Sequence, residues 1–300
     1  MLNNLLLLPI FIPLVAAALA LLAWQNRRAQ RVIGVLGAAG LLIAATSFPG
    51  IFMAPIMGVL ADRFGRRRVV APCLAVFGTG SDVGKSVIGA ALCRRFAEEE
   101  AKVVVVDIDA AGAAALAEEI GAFGLGCDVT READVVNVVE KTQAHWGPID
   151  LFCSNAGIFI RGDIDVDNAQ WQKIWEVNVM AHIYAARAVI PQMLKKGRGT
   201  LIITASAAGL LSQIGSMPYS ATKHAAVGLA ENLAITYGDR GIQVAVICPQ
   251  AVHSAMTRRG AGVAAVNGII APEVVAEHVV NALDDQRFLI LPHPEVRTYM

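Results

Sequence analysis

Four consecutive valines, Val103–Val106, constrain this chain more than any other stretch of it. A run of β-branched residues with no polar alternation predicts a strand covered on both faces, as in the interior of a parallel sheet. The pattern around it alternates in the same sense. Strands are expected at Leu74–Phe77, near Leu125, and at Ile149–Cys153, Thr200–Ile203, Gln243–Ile247 and Phe288–Leu291. Helices are expected at Gly84–Glu98, 111–120, 131–145, 178–196, 219–238 and 272–284. Strand–helix alternation of this kind predicts an α/β, Rossmann-type doubly wound parallel sheet with helices on both faces.

The N-terminal quarter reads differently. Leu5–Trp24 is twenty residues without a charge, and Val32–Ala61 is thirty more. About 20 apolar residues cross a bilayer core, so both runs have the length of membrane spans. The overall net charge of zero hides an asymmetry. Arg27, Arg28, Arg31, Arg63, Arg66, Arg67 and Arg68 face only Asp62 among residues 1–72, which gives +6 there and −6 in the remainder. Arginines flanking apolar runs suit a lipid surface. The acidic remainder carries no basic stripe of the kind that binds nucleic acid. Residues 1–72 are therefore expected to be a hydrophobic, helical membrane-anchoring segment, whether crossing twice or bent back at Pro49-Gly50, and 73–300 the Rossmann-type domain. The five cysteines, Cys73, Cys93, Cys127, Cys153 and Cys248, lack CxxC pairing and point to reduced thiols, with no metal site.

The chemistry is carried by TASAAGLLSQIGSMPYSATK, which holds Ser206, Tyr219 and Lys223. Tyr219 and Lys223 stand at i and i+4, on one helix face. An ammonium beside a phenol favours the phenolate, so a group of ordinary pKa about 10 becomes usable as an acid or base. A serine at a strand end could hold a substrate oxygen against that phenol.

These residues and their surroundings resemble the short-chain dehydrogenase/reductase family over about residues 74–295. CSNAG, Cys153 to Gly157, is similar to the family's NNAG segment after the fourth strand. Asn178 in WEVNVMAHIYAARAVIPQML resembles its helix asparagine, GTLIITAS its fifth strand ending in the serine, and VAVICPQAV its sixth strand and Pro-Gly turn. The resemblance implies hydride transfer between a nicotinamide and a secondary alcohol or carbonyl carbon. Tyr219 would exchange the hydroxyl proton, Ser206 orient the substrate oxygen, and Lys223 bind ribose and depress the tyrosine pKa. Asn178 would hold a water that relays protons to Lys223. Asp128 and Val129 resemble the adenine-contacting pair, and Asn155, Ala156 and Gly157 would pass the backbone close to the cofactor. Pro249 and Ser254 fall on the positions beside the carboxamide, with Gln250 where the family usually has glycine.

Asp107 ends the valine strand, where a carboxylate accepts from ribose hydroxyls and repels a 2′-phosphate; NAD is expected in preference to NADP. The loop FGTGSDVGKS reads in two frames. In one, Thr79, Gly80 and Gly84 form a dinucleotide turn, with Ser86 in place of its last glycine. In the other, Gly78 and Gly84-Lys85-Ser86 resemble the phosphate loop of dethiobiotin synthetase and cobyric acid synthase proteins. The second frame makes an ATP-dependent enzyme the alternative, and the substitutions at Ser86 and Gln250 admit a catalytically impaired membrane-attached fusion. The N-terminal part resembles fragments of membrane subunits. MLNNLLLLPIFIPLVAAALALL is similar to a first helix of proton-antiporter proteins, and GVLADRFGRRR to a loop of major-facilitator transporters. Such a chain reads as a mosaic.

The segment 255–271 is small and largely apolar, which suggests a small apolar alcohol or carbonyl substrate. A homo-oligomer, dimer or tetramer, is expected through helices 178–196 and 219–238. The enzyme domain is expected in the cytoplasm, where its cofactor is. His145, His182 and His224 show no ligand spacing and are expected to be structural or exposed, and His253 a surface residue.

Overall fold

A computed structural model describes residues 73–77, 87–254, 257 and 262–300. All of these fall in one compact unit, Val69–Met300. The two apolar runs, the transporter-like motif and the loop carrying Thr79, Gly80 and Gly84 lie outside the described residues. Among the described residues no helix is long and apolar enough to cross a membrane.

The valine run forms β2 (Lys102–Asp107), and all four valines are buried. It lies between β1 (Cys73–Phe77) and β3 (Phe123–Gly126), with parallel pairing on both sides. β4 (Leu151–Ser154), β5 (Gly199–Thr204), β6 (Ile242–Ile247) and β7 (Leu289–Ile290) extend the sheet from the far side of β1. The seven strands run in the order β3-β2-β1-β4-β5-β6-β7. Chain direction across the sheet therefore reverses between β1 and β4, the place where a crevice opens at the carboxyl ends of such strands.

Alternation along each strand divides the core in two. Val104 and Val106 join Phe152, Leu201, Ile203 and Val246 on one face. That face is covered by α3 (Glu132–Trp146), α5 (Ala181–Lys196) and α6 (Met217–Tyr237), through Val138, Met193 and Ala230 among others. Val103 and Val105 join Leu151, Cys153, Ile202 and Ile247 on the other. There α1 (Val87–Glu98), α2 (Ala110–Ile120) and α7 (Pro272–Asp284) supply Leu92, Phe96, Ala113 and Val279. Each fully buried aliphatic or aromatic side chain contributes about 1.5–3 kcal/mol. The expected doubly wound architecture is what these residues build.

One helix departs from expectation. Instead of starting at 178, helical backbone begins with α4 (Asn168–Trp175), capped by the Asp167 carboxylate accepting from Gln170 N–H at 2.9 Å. It passes through a π turn, Glu176–Met180, into α5. A π turn carries one extra residue against the normal ladder and re-aims the side chains inside it. Asn178 sits within that turn and is fully buried. A short α8 (Val296–Tyr299), not expected from the sequence, follows β7.

Candidate active site

The carboxyl ends of the strands gather the chemistry-bearing residues. The register pairs Phe77 with Ser154, Ser154 with Ile203 and Thr204 with Ile247, so β1, β4, β5 and β6 end along one edge. Ser206 lies two residues beyond β5, and the turn from Pro249 two residues beyond β6. The first turn of α6 carries Pro218, whose fixed φ suits a helix start, and Tyr219; the second brings in Lys223. Ser206, Tyr219 and Lys223 line one pocket together with Asn155, Gly157, Pro249 and Ser254.

Hydrogen bonds fix this arrangement. The Ser206 hydroxyl donates to the Pro249 carbonyl at 3.3 Å and accepts from Ala208 N–H at 3.2 Å. The Lys223 ammonium, almost fully buried, donates to the Thr204 carbonyl at 2.9 Å. It stands 5.7 Å from the centroid of the Tyr219 ring, whose other neighbour is Phe159 at 5.1 Å between centroids. Burial pushes Lys223 down to about 8. Burial likewise raises Tyr219, with the Ser206 hydroxyl pulling the other way. The expected depression of the tyrosine is not found here: desolvation of the phenolate outweighs the neighbouring hydroxyl.

Asn178 is brought to the site, where its side chain is engaged by three protein partners. Its Oδ1 accepts from Ile158 N–H at 2.8 Å, and its Nδ2 donates to the Ile158 carbonyl at 3.0 Å and to Thr222 Oγ1 at 3.2 Å. The amide thus ties the segment after β4 to the helix turn that carries Tyr219 and Lys223. Gly157 lies inside this knot: a Cβ there would meet Lys223 Nζ at 3.2 Å and Asn178 Oδ1 at 3.5 Å. A side chain there would push the ammonium aside.

The remaining expected residues divide. Asp107 ends β2 at the same edge, and its Oδ1 accepts from Asp109 N–H at 3.0 Å. Asp109, not Asp107, caps α2, accepting from Gly112 N–H at 3.1 Å. The Asp128 carboxylate accepts from Thr130 N–H at 3.0 Å and from its hydroxyl at 2.7 Å, while the Val129 and Ala156 side chains are buried in the core. Ser254 N–H donates to Thr257 Oγ1 at 3.0 Å. His253 is exposed, and His145 stacks on Phe123 at 4.6 Å. His182 is fully buried, with Nδ1 2.6 Å from Ser154 Oγ, and burial holds it at about 3. A lone histidine in an apolar helix gave no signal of this pairing.

A profile of the short chain dehydrogenase family matches residues 76–261, a span that takes in the glycine-rich loop read in two frames above. The 1-deoxy-11-beta-hydroxypentalenate dehydrogenase of Streptomyces avermitilis is 33% identical over 229 residues, 71% of this chain and 83% of its own. The 3beta-hydroxysteroid dehydrogenase 2 of Eggerthella lenta is 33% identical over 182 residues, covering 58% and 68%. A solved short chain dehydrogenase/reductase from Burkholderia phymatum, in complex with NAD, superposes with a TM-score of 0.68 at 25% identity, covering 76% of this chain and 91% of that one. The span matched by the family profile takes in β2 to β6 and every residue of the pocket, and the chain belongs to the short chain dehydrogenase family.

Proposed function

We propose that this protein is an NAD-dependent oxidoreductase that interconverts a secondary alcohol and the corresponding carbonyl compound. The observation that carries this reading is the convergence of Ser206, Tyr219 and Lys223 on one pocket at the carboxyl edge of the sheet, beside the β1–β4 crevice. The residues fit a dinucleotide. The backbone at Gly157 leaves a cradle that a Cβ would fill, and the Asp107 carboxylate ends β2 where a ribose diol would be recognised. Asp128, Val129, Asn155, Ala156, Pro249 and Ser254, with Thr79, Gly80 and Gly84 of the loop, complete the set assigned to binding it. NAD supplies the hydride acceptor.

The protein's own residues handle the proton. The Ser206 hydroxyl holds the substrate oxygen; Tyr219 Oη gives its proton to the carbonyl oxygen during reduction and, as the phenolate, takes the alcohol proton during oxidation. A placed acid or base of this kind contributes about 10²–10⁴-fold. Lys223 puts positive charge near that phenol and donates to the ribose. Asn178 braces the Ile158 segment against Thr222 and would hold a water that relays protons to Lys223.

Related dehydrogenases acting on a hydroxypentalenate and a hydroxysteroid support an alcohol carried on an apolar skeleton. The apolar composition of 255–271 agrees with that class. Association of copies through 178–196 and 219–238 is part of the proposal, supported by Ile235, which stands 83% exposed on α6. So is membrane attachment through residues 1–72 with residues 73–300 on the cytoplasmic side, which the two uncharged runs and their arginines support.

The test is parallel titration of the full chain with NAD, NADP and Mg-ATP, followed by turnover on apolar secondary alcohols. Tyr219→Phe is expected to abolish turnover while leaving NAD affinity nearly unchanged. Normal turnover in that variant, or ATP binding without NAD binding, overturns the reading.

A further inference from the structure

The turn after β6 is pinned more firmly than its role as a pocket wall requires. The Pro249 carbonyl accepts from Ala207 N–H at 2.9 Å as well as from the Ser206 hydroxyl. The next residue, Gln250, also lines the pocket, and its N–H donates to Nδ1 of the buried His293 at 3.2 Å. Its side-chain Oε1 accepts from Asn267 Nδ2 at 2.9 Å. Asn267 Oδ1 in turn accepts from the Tyr299 hydroxyl at 3.0 Å. That donor fixes the orientation of the Asn267 amide, and hence leaves its NH₂ to face the Gln250 oxygen.

Backbone bonds join the same two segments. Ala251 N–H donates to the Ala264 carbonyl at 3.1 Å, Ile270 N–H to the Ala251 carbonyl at 3.2 Å, and His253 N–H to the Ile270 carbonyl at 2.9 Å. A glycine at 250 would keep the N–H bond to His293. It would have no arm to Asn267.

We propose that Gln250 is a positioning residue for Ser206: through Asn267 and Tyr299 it anchors the turn whose Pro249 carbonyl receives the Ser206 hydroxyl. The inference rests on the dehydrogenase reading for its kinetic consequence but not for its structural one. Loss of the Gln250 side chain frees the turn to shift relative to Ala207. The Ser206 hydroxyl then loses a fixed acceptor and with it a single direction towards the substrate oxygen. Pro249 and Ser254 belong to the set assigned to the cofactor, but most of that set lies outside this turn, so NAD affinity falls less than turnover. The expected signature is a fall in kcat larger than the fall in NAD affinity.

The experiment is a double-mutant cycle on the full chain with Gln250→Ala, Asn267→Ala and the pair, plus Gln250→Glu, which keeps an acceptor oxygen for Asn267. Turnover of a secondary alcohol, NAD affinity and amide hydrogen exchange over 262–271 are measured for each. Each single alanine variant is expected to lose about tenfold in kcat, the kinetic equivalent of one net hydrogen bond. The double variant is expected to be no worse than the worse single one, because both remove the same contact. Gln250→Glu should restore most of the rate, and exchange over 262–271 should quicken in both alanine variants. Additive losses, an unchanged kcat, or a parallel fall in NAD affinity overturns the proposal. If the unaltered protein turns over no alcohol, the dehydrogenase reading fails. The exchange comparison still decides the anchor: unchanged exchange in both alanine variants refutes it.

Discussion

His182 Nδ1 and Ser154 Oγ meet at 2.6 Å, joining α5 to the end of β4 between two buried residues. The other ring nitrogen, Nε2, is buried with no hydrogen-bond partner. An imidazolium there would be stripped of water and would also feel the charge of Lys223, which is why its pKa falls to about 3. The unfolded chain binds a proton near the ordinary value of 6.5, whereas the fold does not. Stability is therefore fully present above about pH 6.5 and is lost as pH falls towards 3. His293, also lowered by burial, contributes in the same direction. Urea unfolding between pH 7 and 4 should show this acid limb, and His182→Asn should flatten it. A variant with the same acid slope as the parent would remove His182 as its source.

The alkaline limb has a different origin. Burial raises Cys93, Cys127 and Cys248 to about 12 and Cys153 well above its ordinary 9.0. These thiols stay protonated in the fold and ionise near pH 9 once it opens, so stability falls as pH rises from 9 towards 12. Lys223 acts oppositely between 8 and 10.5, since relieving its buried charge favours the fold, but it is one group against several. Thermal unfolding should show Tm dropping from pH 9 to 10.5, less steeply in Cys93→Ala. In the native protein these buried thiols should react with a disulfide reagent only at the rate of opening.

What could be read from the sequence follows the reach of each interaction. Four valines and strand–helix alternation suffice for the sheet because burial on two faces is a local demand repeated along the chain. Tyr219 and Lys223 were legible because four residues is the pitch of one helix face. The π turn was not: it is stabilised by Asn178 reaching Ile158, twenty residues earlier in the sequence. The Tyr219 shift was expected in the wrong direction because a sequence shows the neighbouring charge but not the loss of water. The Gln250–Asn267–Tyr299 connection was equally hidden, since only the fold brings α8 to that turn.

Two glycines beside Lys223 should respond differently to alanine. At Gly157 the added Cβ meets Lys223 Nζ at 3.2 Å, the flexible end of a side chain. The ammonium can yield, leaving the Thr204 carbonyl, so Gly157→Ala is expected to cost activity far more than stability. At Gly209 the Cβ runs into the Lys223 backbone oxygen and meets its carbon at 2.7 Å. Backbone in the middle of α6 cannot step aside cheaply, and overpacking of this kind costs about 1–3 kcal/mol. Calorimetry together with turnover separates the cases. Equal losses of Tm in both variants would contradict the distinction.

Asn178 provides the sharpest test of how the site is braced. Its carboxamide satisfies Ile158 N–H, the Ile158 carbonyl and Thr222 Oγ1 together. Asn178→Ala leaves these groups short of a partner inside the protein, and a buried group so stranded costs about 1–3 kcal/mol. Asn178→Asp keeps an acceptor for the Ile158 N–H but loses both donated bonds, so it should fall between the two. Amide exchange at Ile158 should quicken in the order parent, aspartate, alanine, with kcat falling in the same order. If aspartate matched the parent in both, the donated bonds would be idle, and the helix turn of Tyr219 and Lys223 would be held by its own packing alone.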